Sequence, residues 1–153
     1  MRLMDNIEIR RATKEDIGLV RELVMELAIF EKAPEEVSST VDDYMAEGFS
    51  DNPLFFANLI YLNGELGGFS LWYYRFSTWK GRRFYLEDLY IKESFRGKGL
   101  GKCMIEEAIQ EAKRMKCTGM MWQVLDWNKP AIEFYETLGV KMDSGWLNVH
   151  LDL

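Results

Sequence analysis

The chain has 153 residues, 48% of them hydrophobic and 29% charged, enough for one domain with its own core and far from the composition of a disordered segment. Its net charge of −6 argues against a general nucleic-acid binder. No apolar run approaches the ~20 residues of a membrane span, and the opening "MRLMDNIEIRRAT" lacks the apolar core of a signal peptide, so a cytoplasmic protein is expected.

Taken in order, "IEIRRAT" alternates and predicts a first strand. Thr13 then precedes "KEDIGLVRELVMELAIFEK", where Ile17, Val20, Leu23, Val24 and Leu27 recur at helical spacing. Thr13 with Asp16 forms a capping box carrying Asp in place of Glu, and Pro34 ends the helix. "STVDDYMAEGF" predicts a short second helix closing at Gly48. Two β-rich runs flank Asn63-Gly64, a strong hairpin signal. "RRFYLEDLYI" is a third β-rich run and leads into "RGKGLGK". From Leu100 onward, Met104, Ile105, Ala108, Ile109 and Ala112 mark a helical face. "GMMWQVL" reads as a strand. "NKPAIEFYETLG" reads as a helix capped by Asn128, with Pro130 in its first turn and Gly139 at its stop. "VKMDSGWLNVHLDL" reads as a closing strand pair. The order β-α-α-β-β-β-α-β-α-β-β, without repeat or linker, predicts one mixed α/β domain over residues 1–153 with an antiparallel early sheet.

Little else in the chain carries chemistry by itself. Cys103 and Cys117 are separated by a predicted helix and too far apart to bridge. With one histidine, His150, in a predicted terminal strand, no metal site is expected. The glycine segment is the informative one. It departs from the Walker pattern, because Gly101-Lys102 is followed by Cys103 and Arg96 stands where the first glycine belongs. It also departs from the dinucleotide fingerprint, because its glycines are spaced Gly97-x-Gly99-x-Gly101. What remains is an R-x-x-G-x-G turn between a strand and a helix. There, backbone N–H groups, the helix N-terminus and Arg96, Lys98 and Lys102 suit a diphosphate.

The R-x-x-G-x-G turn after "LEDLYI", together with "IRRAT", "ELAIFEK", "YLEDLYI", "WNKPAIEFYETLG" and a late "GW", resembles the GNAT superfamily of N-acetyltransferases. More narrowly, it resembles the diamine acetyltransferase group, which includes the spermidine/spermine and thialysine enzymes. The resemblance implies a mixed, mostly antiparallel sheet flanked by helices, acetyl-CoA as co-substrate, no metal, and a homodimer. It implies a small primary amine as acceptor rather than nucleic acid or membrane. An acetyltransferase of proteins or peptides and a non-catalytic acetyl-CoA-binding module are the alternatives.

Residue by residue, the resemblance places the pantetheine and pyrophosphate of the donor on Leu89, Tyr90 and Ile91 and on the turn Arg96, Gly97, Lys98, Gly99, Leu100, Gly101 and Lys102. Asn128 and Ala131 on the later helix complete that set. Glu87 is the implied proton acceptor for an ammonium whose ordinary pKa is ~10.4, and Tyr135 the implied acid for the leaving thiolate. The backbone N–H of Leu89 is the implied oxyanion donor. In a regular strand Asp88 points to the face opposite Glu87. Phe30 and Glu31, Trp79, Glu87, Asp88, Met121, Trp122 and Gln123 are the implied acceptor-side residues. Phenylalanine at position 30 departs from the group's tyrosine, and the basic Lys80–Arg83 run departs too. At the mouth of the site, that run would repel a long polycation.

Overall fold

The computed structural model describes residues 4–153. It separates into two compact units, the first running to Trp122 and the second Gln123–Leu153.

The first unit is built on a five-stranded sheet ordered β1-β2-β3-β4-β5: β1 Ile7–Arg11, β2 Phe56–Leu62, β3 Glu65–Ser77, β4 Gly81–Ile91 and β5 Gly119–Met121. The first four strands pair antiparallel and β5 joins β4 in parallel. The β2–β3 hairpin turns at Asn63 (φ 50°) and Gly64 (φ 83°), the left-handed pair that a tight primed turn requires. Helix α1 Ile17–Phe30 packs on one face of the sheet, where Val20 and Leu23 meet Leu59, Phe69, Leu71 and Tyr90. Helix α3 Leu100–Arg114 covers the other, where Leu100 and Met104 meet Ile60 and Leu62 with Leu89 and Ile91 beside them. Burying apolar side chains on both faces is the main favourable term holding this layer together.

The short helix α2 Val41–Gly48 has a full capping box: the Asp43 N–H donates to Thr40 Oγ1 (3.2 Å) and the Thr40 N–H to Asp43 Oδ2 (2.7 Å). At the start of α1 the expected pairing of Thr13 and Asp16 is present as a 3₁₀ turn over Lys14–Asp16. The Asp16 carboxylate accepts from the Thr13 N–H (2.8 Å) and hydroxyl (3.1 Å), and from both terminal nitrogens of Arg10 (2.7 and 2.9 Å). Beneath the far end of the sheet, Trp72 is stacked on Phe84 (5.4 Å between centroids) and carries the Arg11 guanidinium at 4.9 Å. Arg11 in turn reaches Glu111 of α3 (3.4 Å). This cluster fixes the α3-side face of β3 and β4.

The second unit contains one helix, α4 Lys129–Glu136, capped by Asn128, whose Oδ1 accepts from the Ala131 N–H (3.4 Å), with Pro130 in the first turn. Two expectations for the region after α3 are corrected. The strand predicted over 119–125 is only Gly119–Met121, and the closing strand pair predicted over 140–153 is absent. Residues 141–153 are exposed, with Leu147, Val149 and Leu151 each more than 85% accessible. Alternation alone does not make a strand: no neighbouring backbone forms a ladder with these residues. Among the described residues no helix is long and apolar enough to cross a membrane.

The Asp16–Arg10 contact holds the Asp16 carboxyl well below the usual carboxylate range, the Arg10 hydrogen bonds first and the Thr13 backbone second. A depressed folded-state pKa adds stability above the unfolded value of ~3.9 and loses it as pH falls through the folded one. Asp16→Asn should therefore cost about 2 kcal/mol at pH 7, discounted from a fully buried pair because Arg10 is partly solvated. In thermal melts run at several pH values, the deficit should shrink below pH ~4.

Candidate active site

The site follows from one irregularity in β4. Leu71 of β3 faces Asp88 and Trp72 faces Leu86, so Glu87 has no partner and forms a β-bulge. A bulge inserts one residue and resets the alternation of side chains. Before it, Tyr85 stacks on Tyr73 (5.0 Å between centroids), and Glu87 shares that face. After it, Tyr90 belongs to the core beneath α1, and Asp88 shares that same face. The expectation that Asp88 points away from Glu87 is thereby corrected: the strand is not regular, and both carboxylates lie on the α1 side.

Glu87 is exposed and Asp88 half-buried. Desolvation first, then the charges of Glu87 and Glu31, push the Asp88 carboxyl up to about 7. Burial also raises Glu31, the residue that follows α1. That helix closes in a Schellman arrangement, with Lys32 N–H on the Ile29 carbonyl (3.0 Å) and Ala33 N–H on Ala28 (2.9 Å). Lys32 occupies the left-handed position (φ 64°) where glycine is usual. Glu31, Glu87 and Asp88 thus form one acidic group, in which Asp88 is poised to exchange a proton near neutrality.

Past the bulge, β4 runs into the glycine turn. Its ladder with β5 covers only Arg83–Gly119, Phe84–Met120 and Tyr85–Met121. From Leu86 to Ile91 that edge of β4 has no strand partner among the described residues, which leaves the backbone groups of Leu89 and the N–H of Ile91 for an extended ligand. Leu89 and Ile91 send their side chains towards α3, and Tyr90 sends its own towards α1, where its hydroxyl lies 3.3 Å from Glu26.

In the turn, Gly97 (φ 76°) and Gly99 (φ 83°) are left-handed with open space where a Cβ would stand, so backbone conformation demands them. Gly101 lies within the first turn of α3, where a Cβ would make only ordinary contact with Ile91. Gly99 caps α3 with no side chain, leaving the first-turn N–H groups of Leu100, Gly101 and Lys102 without a side-chain acceptor. Two left-handed glycines, an uncapped helix start and the nearby Lys98 and Lys102 fit the diphosphate of a coenzyme A donor. Arg96 is turned the other way. Its Nε donates to the Ile91 carbonyl (3.0 Å), and its guanidinium lies over Phe30 (4.8 Å) and near Tyr90 (5.8 Å). The structure thus joins Phe30, expected on the acceptor side, to Arg96, expected on the donor side.

The remaining expected residues divide. Met121 stands on the tyrosine face opposite Tyr85. Trp122 follows the end of β5, and Gln123 begins the second unit, where its side chain donates to Asn148 (3.2 Å). Asn128 and Ala131 start α4, and Tyr135 is buried on that helix with its ring 5.5 Å from Phe134. Trp79 is 84% accessible at the β3–β4 turn. Six residues of strand separate Gly81 from Glu87, about 20 Å, so Trp79 is not brought to the carboxylates. The face that carries Glu87 also carries Tyr73, Tyr85 and Arg75, which the sequence alone did not bring together. The signal for the bulge was available, because two adjacent carboxylates interrupt the alternation of "YLEDLY".

A bulged strand with paired carboxylates, parted from the next parallel strand and feeding a glycine turn at an uncapped helix, is the framework of an acyl-group transferase. Comparison with known proteins agrees. The acetyltransferase (GNAT) family model matches residues 20–140. The thialysine N-ε-acetyltransferase of Sus scrofa is 36% identical over 146 residues, covering 90% of this chain and 86% of that protein. That of Mus musculus is 35% identical over 160 residues, 97% and 94% of the two chains. Among solved structures, an aminoglycoside acetyltransferase from an uncultured soil metagenomic sample superposes with a TM-score of 0.79 over 96% of both chains; at 14% identity it speaks for the fold alone. The chain belongs to the GNAT family of acetyltransferases, whose members use acetyl-CoA.

Because the raised pKa of Asp88 means that the folded protein keeps a proton the unfolded chain has lost, stability must fall as pH rises from ~4 to ~7. Asp88→Asn removes that cost. The variant should be more stable than the parent by about 2 kcal/mol at pH 8, half of the ~4 kcal/mol that a rise from ~4 to ~7 gives because Asp88 is partly solvated, and equal to it at pH 4, as read by thermal melts.

Proposed function

We propose that the protein moves the acetyl group of acetyl-CoA to a primary amine of a small molecule, a diamine, polyamine or thialysine-like amino acid, by direct attack of the amine. The observation that carries this reading is the shared face of Glu87 and Asp88 beside the donor turn. A primary amine reaches neutral solution as an ammonium and needs an acceptor for its proton before it becomes a nucleophile. Glu87 is exposed and takes that role, either directly or through water, while Asp88 and Glu31 hold the cation in place. The names of the similar thialysine enzymes support an acceptor of this size.

On the donor side, the turn Arg96–Lys102 and the β4 edge at Leu89, Tyr90 and Ile91 hold coenzyme A, with Asn128 and Ala131 adding contacts from α4. Acetyl-CoA supplies an activated thioester. The Leu89 N–H donates to the carbonyl oxygen as charge builds there, and the Tyr135 hydroxyl returns a proton to the departing thiolate. No metal takes part in this scheme. We extend the proposal to one acetyltransferase domain made by both units, acting in the cytoplasm as a homodimer. The exposed Trp146, Leu147, Val149 and Leu151 offer apolar surface for a second copy.

The test is release of free thiol from acetyl-CoA across a panel of polyamines, diamines, lysine and thialysine. Glu87→Gln and Tyr135→Phe should each lower kcat by roughly a hundredfold or more with acetyl-CoA affinity largely kept. Near-normal turnover in both variants would contradict the role assignment, and binding without turnover on any amine would favour a non-catalytic module.

A further inference from the structure

The α1-side face of β3 and β4 continues beyond Glu87 in a direction that neither the donor site nor the carboxylates use. Next along it comes the stacked pair Tyr73 and Tyr85, then Arg75 directly opposite Arg83. Arg75 does not point into solvent alone. Its guanidinium leans back over the Tyr85 ring, 5.6 Å from the centroid, and one nitrogen lies 3.4 Å from Met121 Sδ. Arg83 crosses directly over Gly119 of β5, where the guanidinium occupies the place of a Cβ. The other arginine of the basic run, Arg82, lies on the opposite face over Tyr74, its nitrogen on the Met115 carbonyl (3.4 Å). The two tyrosines lie between opposite charges: burial and Glu87 raise their hydroxyls, to about 12 in Tyr73, while Arg75 opposes that rise in both.

The face is therefore a short track with a carboxylate end, an aromatic floor and a guanidinium end. Arg83 and Glu87 are four residues apart along β4, about 13 Å, and the lean of Arg75 brings its charge closer than that. An extended lysine spans about 7 Å from its ω-nitrogen to its carboxyl carbon, and a hydrogen bond of about 3 Å at each end completes the distance. Resting on the proposed amine acetylation, we infer that Arg75, with Arg83 behind it, determines specificity by accepting a carboxylate. The preferred substrate is then an ω-amino carboxylate, such as a lysine-like amino acid, and not a bare diamine or polyamine. A diamine would set its second ammonium against two guanidinium groups. An amino acid sets a carboxylate there, which a guanidinium binds by charge-assisted hydrogen bonds. Repulsion of the wrong substrate and attraction of the right one act together in the ratio.

The experiment compares kcat/KM for lysine, ε-aminocaproate and cadaverine by thiol release, in the parent and in Arg75→Gln, Arg75→Lys and the Arg75→Gln, Arg83→Gln double variant. Lysine and ε-aminocaproate should exceed cadaverine at least roughly tenfold, the worth of one charge-assisted hydrogen bond. Arg75→Gln should lose most of that preference through the KM of the carboxylate substrates, Arg75→Lys should keep part of it, and the KM of acetyl-CoA should not follow. Cadaverine acetylated as well as lysine, or a preference that survives the double variant, would overturn the inference while leaving amine acetylation standing. No acetylation of any of the three would overturn both.

Discussion

Everything in the site depends on the extra residue that β4 carries at Glu87. A regular strand places consecutive carboxylates on opposite faces, one in the α3 core and one under α1, and a lone carboxylate among Leu89, Ile91 and Met104 would have to be neutralised or expelled. The bulge avoids that cost by rotating the chain between Leu86 and Asp88. Leu86 and Leu89 remain on the buried α3 side, and Glu87 and Asp88 emerge together on the other. The cost of the bulge is a lost ladder contact. Beside it, on the α3 side, Trp72 stacks on Phe84 and carries the Arg11 guanidinium, burying apolar surface of β3 and β4.

The same strand sets two further distances. Its pairing with β5 ends at Tyr85, so the backbone past the bulge has no neighbouring strand on that edge among the described residues. Its own end delivers the chain to Gly97 and Gly99, whose left-handed conformations aim the start of α3 at the same place. The carboxylates and the glycine turn, to which the proposed function gives acceptor and donor roles, are therefore consecutive segments of one element, and Arg96, stacked on Phe30 while bonded to Ile91, ties the end of α1 to their junction. Beyond the carboxylates the strand goes on to arrange Tyr85 and Arg83, which gives that face of the sheet a second, oppositely charged end.

Much of this was legible in the sequence. Helix α1 and the β2–β3 hairpin follow from apolar spacing and Asn63-Gly64, because local steric preference and burial agree there. The glycine turn was legible because left-handed positions admit few residues, and the family likeness rested on motifs spread along the chain. What escaped has a common cause. Glu87 and Asp88 were assigned to opposite faces because period-two reasoning assumes an unbroken ladder. Residues 140–153 alternate as a strand would, yet alternation describes a surface and not the partner that must pair with it. Arg75 was overlooked because its meaning comes from Tyr85 and Glu87 on the neighbouring strand, a relation that only register reveals.

The central claim is that one bulge sets Glu87 and Asp88 side by side, so that Asp88 feels the charge of Glu87. A carbon-13 NMR titration of the side-chain carboxyl groups measures this directly. The account predicts that Asp88 titrates at about 7 and that Glu87→Gln moves its midpoint downward, since a neighbouring negative charge has been removed. An Asp88 midpoint near the ordinary value of ~3.9, or one indifferent to the charge at position 87, would contradict it.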